Sequence, residues 1–386
     1  MSERAIVLVT SSFPIRGDGS EAAGSFVADL ADAIAKHVPV RVVAPGAEPL
    51  REAWSGGVEV IRYAAPSQPL STLKPWRPSE LGWIMRVWRG GLTATRAAAG
   101  ADAAQIFALW GLPCGEWARR VARERGIPYS VWMLGSDVWS LGKLPILRGM
   151  LARVMREAAA AYADGYQLAD DAFAVGNVPV EFLPSTRAIA TDVPPPRATP
   201  PYRLLYLGRW HPNKGVDLLL DALALLTESD WARIDRIEIQ GGGPLEALVR
   251  EKIAALKARG RPVEIGRFLA KPEAEAAIGR ADWLLIPSRI ESIPVVFSDA
   301  MKLGRPIVST RVGDLGRLLD ASDIGVASAE VSATAFADAL HRALLSSAAE
   351  RSAALAAAAR PFSLEQSIVP RILGGTHRTT GGSTRR

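Results

Sequence analysis

Short apolar runs alternate along this chain with longer stretches in which apolar residues recur every three or four positions. The first run, AIVLVTSS at residues 5–12, predicts a strand buried on both faces in a parallel sheet. GDGSEAAG then reads as a loop, SFVADLADAIAKHV as a helix and VRVVAPG as the next strand. That is a βαβ unit, and the glycine-containing turn between strand and helix is where such units hold phosphates. AQIFALWG with CGEWARRVARERG repeats the pattern, as does PYSVWMLGSD with a helical stretch through ILRGMLARVMREAAAAYA. GYQLA and VEFLPS close this half.

STRAIATDVPPPRATPPYR has no hydrophobic period and is rich in proline, which predicts a linker over 184–202. Beyond it the pattern starts again. RLLYLGRW, RIEIQGGGP, VEIGRFL, ADWLLIPS and RPIVSTRVGD read as strands, and GVDLLLDALALL and LEALVREKIAALKARG as helices. The fold class is therefore α/β, with Rossmann-like domains over 1–183 and 203–360.

A length of 386 residues agrees with two domains, and a mean hydropathy of +0.10 with a folded globular chain. The single Cys114 excludes an internal disulfide framework and a four-cysteine zinc site. The N-terminal apolar run is too short for a secretory signal, and no stretch is long enough to span a bilayer, so a cytoplasmic protein is expected. The net charge of +6 raises nucleic acid as a partner. However, two arginines end the tail GTHRTTGGSTRR, read as disordered over 376–386, and the rest are scattered without interleaved aromatics. No nucleic acid is expected; an anionic small molecule or an anionic membrane surface suits the mild excess.

Three segments carry candidate chemistry. In LGRWHPNKGVD a strand ends at Gly208, and Arg209 and Lys214 follow on the loop before the next helix. Ligands of open α/β sheets bind at the carboxyl ends of strands, where two cations would meet an anion such as phosphate. A solvated surface loop is the plainer reading. The IQGGGP turn, with Gly242 at its centre, lets backbone approach a ligand closely, or is an ordinary turn. In IESIPVVFSDAM, Pro294 suits the first turn of a helix whose N-terminus faces the strand edge and favours a diphosphate. Glu291 and Asp299 would be repelled by phosphate and suit hydroxyls, one on a sugar and one on a ribose. A helix-capping acid and a solvated acid are the alternative.

Together YLGRWHPNKGVDLLLDAL, QGGGP and ADWLLIPSRIESIPVVFSDAMKLGRPIVSTRVGDL resemble the nucleotide-binding domain of GT-B glycosyltransferases of family 4, the retaining group 1 enzymes. GDGSEAAGSFVADLADAIA, LWGLPCGEWAR and WMLGSDVW look more loosely like that family's acceptor-side loops. The resemblance implies a GT-B architecture, two Rossmann-like domains facing across a cleft, with a C-terminal helix over 361–375 crossing back to the first. It gives Arg209 and Lys214 to the donor diphosphate, Glu291 to the donor sugar hydroxyls and Asp299 to the ribose. Gly24 falls where a loop glycine lets backbone N–H groups approach the phosphates, and backbone near Arg267 and Phe268 would meet the base.

The family's Gly-Phe-Gly-like run is here Ser292, Ile293 and Pro294, so the N–H groups of Ile293 and Val295 must do more of the phosphate binding. Leu134 stands where many members carry a histidine, which leaves Gly135, Ser136 and Asp137 as the acceptor-side segment, with Asp137 its polar candidate or simply a helix N-cap. The resemblance implies transfer of a sugar from a UDP- or GDP-sugar to a glycan, lipid-linked or small-molecule acceptor, with no cofactor and no metal expected.

Trp110, Trp132 and Trp139 fall near strand ends, where they would stack on acceptor sugars or pack in the core. In STLKPWRPSELGWIMRVWRGG, Leu81, Ile84, Met85 and Trp88 recur at helical spacing beside Lys74, Arg77, Arg86 and Arg89. Residues 74–92 thus read as a basic amphipathic helix on an anionic inner membrane face, or as a helix packing its apolar side into the core. Two readings belong to other classes. An NAD-dependent oxidoreductase would want G-x-G-x-x-G after the first strand, and SSFPIRGDGSEAAG does not supply it. A catalytically inactive relative serving as a scaffold in glycan assembly is the other.

Overall fold

The computed structural model describes residues 4–17, 24–66 and 77–374. Two compact units divide the chain: one runs to Ser185 and includes the segment from Leu364, and the other is Thr186–Ser363.

The first unit is built on β1 (Ala5–Val9), β2 (Val40–Gly46), β3 (Leu50–Ser55), β4 (Val58–Ala64), β5 (Ala103–Leu109), β6 (Tyr129–Met133), β7 (Ala160–Ala163) and β8 (Glu181–Phe182). They form one sheet in the order β3-β4-β2-β1-β5-β6-β7-β8, parallel except for the β3–β4 hairpin. All five residues of β1 are buried, as its unbroken apolar run requires in a sheet covered on both faces. Helices α1 (Ser25–Ala35), α2 (Pro78–Ala98), α3 (Glu116–Arg125), α4 (Ser136–Trp139), α5 (Pro145–Glu157) and α6 (Tyr166–Gly176) link the strands. Val87 of α2, Trp117 of α3, Val154 of α5 and Leu168 of α6 fill the core on one sheet face, while Val27 and Ile34 of α1 fill the other.

The second unit has six strands: β9 (Tyr202–Arg209), β10 (Ile234–Gly242), β11 (Val263–Ile265), β12 (Trp283–Ile286), β13 (Ile307–Ser309) and β14 (Gly325–Ala327). Their order is β11-β10-β9-β12-β13-β14, all parallel. Its helices are α7 (Val216–Ala224), α8 (Glu228–Trp231), α9 (Glu246–Ala258), α10 (Lys271–Arg280), α11 (Val295–Lys302), α12 (Leu315–Ser322), α13 (Ala333–Leu344) and α14 (Ser352–Ala359). The chain then joins the first unit, where α15 (Val369–Gly374) puts Val369 and Ile372 into the core beside α1, and Gln105 Nε2 donates to Ile372 O at 2.9 Å.

Four local expectations change. The alanine-rich end of the long helix is strand β7, because pairing with β6 outweighs alanine's helix preference. The β3–β4 hairpin, Leu50–Ser55 with Val58–Ala64, is absent from the elements expected. The strand expected over VEIGRFL stops at Ile265, and beyond it the Arg267 N–H donates to the Gln240 side chain at 3.1 Å instead of to a neighbouring strand's carbonyl. From Thr186 the proline-rich segment lies on the second unit and is not a free linker. Thr191 Oγ1 donates to Glu275 Oε2 at 2.8 Å, and Arg197 N to Asp282 Oδ1 at 2.9 Å.

Candidate active site

Arg209, Lys214, Gly208, Gly242, Arg267, Phe268 and the segment from Glu291 to Val295 all lie at or just beyond the carboxyl ends of the second sheet's strands. Between β9 and β12 the winding reverses: β9 leads through α7 to β10 on one side, while β12 pairs on the other. Such a switch point opens a crevice at the strand ends. The loops after β9 and β12 meet there, and Lys214 Nζ is ion-paired with Glu291 Oε2.

That meeting is built by neighbours. Gly215 has φ +68°, and a Cβ on it would lie 1.8 Å from Pro287 O, so only glycine lets the α7 entry pack on the end of β12. Arg289 grips both carboxylate oxygens of Asp217 at 2.8 Å and donates to Pro212 O at 2.7 Å. The Arg289 N–H also donates to Asn213 O at 2.8 Å. Burial pushes the Asp217 carboxyl up, but the hydrogen bonds and charge of Arg289 outweigh it and hold the group below the usual carboxylate range. Behind the acid, Gly313 at φ +51° would collide with Glu291 O at 2.2 Å if it carried a Cβ. Arg209 is exposed and forms no ion pair among the described residues. Lys214 is half-buried.

Gly242 and Phe268 are in contact: a Cβ on Gly242 would sit 2.7 Å from the Phe268 ring, which is 57% exposed. The Arg267 N–H already donates to Gln240 Oε1 at 3.1 Å, and its guanidinium pairs with Glu273. Of the backbone pair expected near the base, Arg267 therefore has its amide occupied. Ser292 and Ile293 are buried. Pro294 is the N-cap of α11 with φ −69°, and Val295 opens the helix, one residue later than its spacing suggested.

Asp299 does not face an open site. It is 0% exposed, and Arg187, from the segment read as a linker, holds its Oδ2 through Nε at 3.0 Å and through Nη2. Asp299 Oδ1 is buried without a hydrogen-bond partner. Burial raises this carboxyl above the usual range, against the pull of Arg187 and Lys302.

The remaining candidates sit at the carboxyl edge of the first sheet. Gly24, with φ +71°, packs on Ser12 O and caps α1. Phe26 in the first turn of α1 meets the half-buried Trp110 edge to face, with centroids 6.3 Å apart. Trp110 has φ +70°, a strained value for a bulky residue. Asp137 is neither an exposed polar group nor an N-cap, the N-cap of α4 being Gly135. It is fully buried and accepts from the N–H groups of Gly111 at 2.8 Å, Val138 at 3.1 Å and Leu134 at 3.3 Å. It therefore ties the loop after β6, with Gly135 and Ser136, to the loop after β5. Trp132 is buried and Trp139 half-buried, its Nε1 donating to Asp171 at 2.8 Å.

Arg289, Asp217, Gly313 and Arg187 escaped the sequence reading. Their partners lie far away in sequence, as with the 72 positions between Arg289 and Asp217, so no local spacing signals them. Among the described residues no group of three or more His, Cys, Asp or Glu side chains gathers as metal ligands would.

Residues 201–346 match the family described as glycosyl transferases, group 1. Over 141 residues the chain is 29% identical to an alpha-D-kanosaminyltransferase of Streptomyces kanamyceticus, a match that covers 36% of this chain and 36% of that relative's length. Among solved structures, the trehalose-6-phosphate synthase OtsA superposes with a TM-score of 0.74 at 13% identity, covering 97% of this chain and 99% of that one. Anabaena HepE, solved in complex with UDP-glucose, superposes with a TM-score of 0.65 at 16% identity, covering 96% and 100%. The fold of this chain is thus the GT-B fold, and its residues 201–346 are similar to the group 1 glycosyl transferases.

Proposed function

We propose that this protein is a cytoplasmic, retaining hexosyltransferase of family 4, moving a sugar from a UDP- or GDP-sugar to a sugar or lipid-linked acceptor in cell-surface polysaccharide or glycoconjugate synthesis. The Lys214–Glu291 pair at the switch point of the second sheet carries the reading. A cation suited to a diphosphate and an acid suited to sugar hydroxyls stand side by side there, with the exposed guanidinium of Arg209 on the same loop. The UDP-glucose complex of HepE supports a nucleotide-sugar donor, and the name of the kanosaminyltransferase supports glycosyl transfer.

In this reading the donor diphosphate draws Lys214 from Glu291, and Arg209 joins it. Both stabilise the negative charge that grows as the bond between the anomeric carbon and the diphosphate oxygen breaks. The acceptor hydroxyl forms the new bond to that carbon on the same face, and its proton passes to the leaving diphosphate, so no separate base is required. Glu291 orients the sugar through its hydroxyls. Ser292, Ile293 and Val295 present backbone from the helix entry, with Gly208 and Gly242 keeping backbone close. Phe268 lies against the base, while Asp299, fully buried and held by Arg187, is given no contact with the ribose. Trp110 and the Gly135–Asp137 loop shape the acceptor side.

A thermal-shift screen of nucleotides and sugar nucleotides tests this, because a ligand of the folded state raises the melting temperature. One sugar nucleotide should stabilise the wild type and release nucleotide in the presence of acceptor, and Lys214→Ala should lose both. Binding without turnover across an acceptor panel would favour the scaffold reading, and no binding at all would end the proposal.

A further inference from the structure

The first unit carries a surface that the sugar-transfer reading leaves unused. Helices α2, α3 and α5 lie side by side on one face of its sheet, with α3 packed against both others. Each joins two parallel strands, so all three run against the strand direction and start at the carboxyl edge. At that edge large aliphatic side chains stand in water. Leu81 and Met85 near the start of α2 are 44% and 47% exposed, and Leu144 and Ile146 at the start of α5 are 54% and 81% exposed.

The basic amphipathic segment expected over 74–92 is thus visible from Arg77, residues 74–76 lying outside the described residues. Its apolar side is divided. Val87 enters the core, Ile84 and Trp88 are half-buried, and Leu81 with Met85 face out.

Charge is concentrated on the same three helices. They hold ten arginines and four glutamates, a net +6 equal to that of the whole chain. Arg86, Arg89, Arg123, Arg125 and Arg153 are exposed and form no ion pair among the described residues. The field ends at α6, which carries Asp170 and Asp171 and no cation. Aliphatic tips at the starts of α2 and α5, with the unpaired Arg86, Arg89 and Arg153 within about two turns along the same helices, match a bilayer interface, where acyl chains take the tips and anionic headgroups the cations. Single-stranded nucleic acid would instead call for exposed aromatic platforms along the basic track. Among the described residues no helix is long and apolar enough to cross a membrane, so attachment here is to the surface.

We propose that this face docks the first unit on an anionic lipid bilayer, with Leu81, Met85, Leu144 and Ile146 inserting and the α2, α3 and α5 arginines lying on the headgroups. The inference deepens the reading above by choosing a lipid-linked acceptor, presented from that bilayer, over a free sugar.

Co-sedimentation of the full chain with vesicles of phosphatidylcholine containing phosphatidylglycerol, and with phosphatidylcholine alone, tests it. Binding should need the anionic lipid and weaken as salt is raised. The triple variant Arg86→Gln/Arg89→Gln/Arg153→Gln should lower the partition coefficient roughly a hundredfold, at about fivefold per basic residue. Ile146→Asp should lower it by about tenfold or more through loss of insertion. All four positions are exposed, so the variants should melt with the wild type and keep its stabilisation by a sugar nucleotide. Equal binding to neutral and anionic vesicles, unchanged binding by the variants, or capture by single-stranded RNA in place of vesicles would each overturn the docking surface. Loss of sugar-nucleotide stabilisation in the wild type would overturn the transferase reading instead, so the two failures are told apart.

Discussion

Replacing Arg187 by alanine should expose how the second unit manages a buried charge. The substitution removes the guanidinium from Asp299 Oδ2 while the carboxylate stays 0% exposed, with Oδ1 already lacking a partner. Breaking a buried pair by deleting one partner costs about 3–5 kcal/mol, because the remaining charge has lost its water and its counterion. Lys302 stays nearby, its Nζ 2.6 Å from Arg187 O, and keeps the figure toward the lower end. For a unit of this size the loss is a fall of roughly 6–20 °C in melting temperature.

The pH dependence gives the effect a signature. Burial already raises the Asp299 carboxyl above its ordinary value, so the folded state binds that proton more tightly than the unfolded chain does. Stability from this group is therefore lost as pH rises from about 4 toward the folded value, and without Arg187 that window extends upward. The deficit of Arg187→Ala should be smallest in acid and grow toward neutrality. Asp299→Asn in the Arg187→Ala background should recover at least half of it, because no charge is left to strand. Calorimetry of the four proteins of this cycle from pH 4 to neutrality measures all of these. A single-variant loss below about 1 kcal/mol, or a double variant less stable than Arg187→Ala, would refute the reasoning.

Three further outcomes are expected. Gly215→Ala should destabilise the second unit by about 3 kcal/mol or more, seen in urea titration, since its Cβ would overlap Pro287 O and its φ of +68° is unfavourable. Lys214→Ala should lower kcat/KM for sugar transfer by about a hundredfold or more while moving the melting temperature little, because its pair with Glu291 is only half-buried. Asp282 is buried, which pushes its carboxyl up, yet the hydrogen bonds from Arg203 and Arg197 hold it below the usual range. Its contribution is therefore present above the unfolded value near pH 4 and lost as pH falls through the folded value, so Asp282→Asn should flatten the acid limb of the stability curve.

The parallel strands with unbroken apolar runs, such as β1 and β12, were readable because a strand buried on both faces needs such a run. Strand β7 was not, since Ala160–Ala163 has no β-forming side chains and is a strand only through its neighbour β6. In the site, Arg209, Lys214 and Glu291 stood out because charge at the end of an apolar strand is a local signal. The Arg289 clamp on Asp217 and the Arg187 cover over Asp299 are products of tertiary contact, invisible to any window of sequence. Asp137 taught the converse. A carboxylate in a loop looked available for chemistry, but three backbone N–H groups claim it.

The C-terminal return of the chain bears on synthesis. The second unit is one continuous stretch and can be completed once Ser363 has left the ribosome. The first unit is made earlier, yet its core lacks Leu364, Ile368, Val369 and Ile372 until the last segment emerges. Its exposed seam must therefore wait through the translation of the entire second unit, and the closing contact between Gln105 and Ile372 joins residues 267 positions apart. The domain begun first is the one finished last, so in the cell its exposure to chaperones and proteases is set by the speed of elongation.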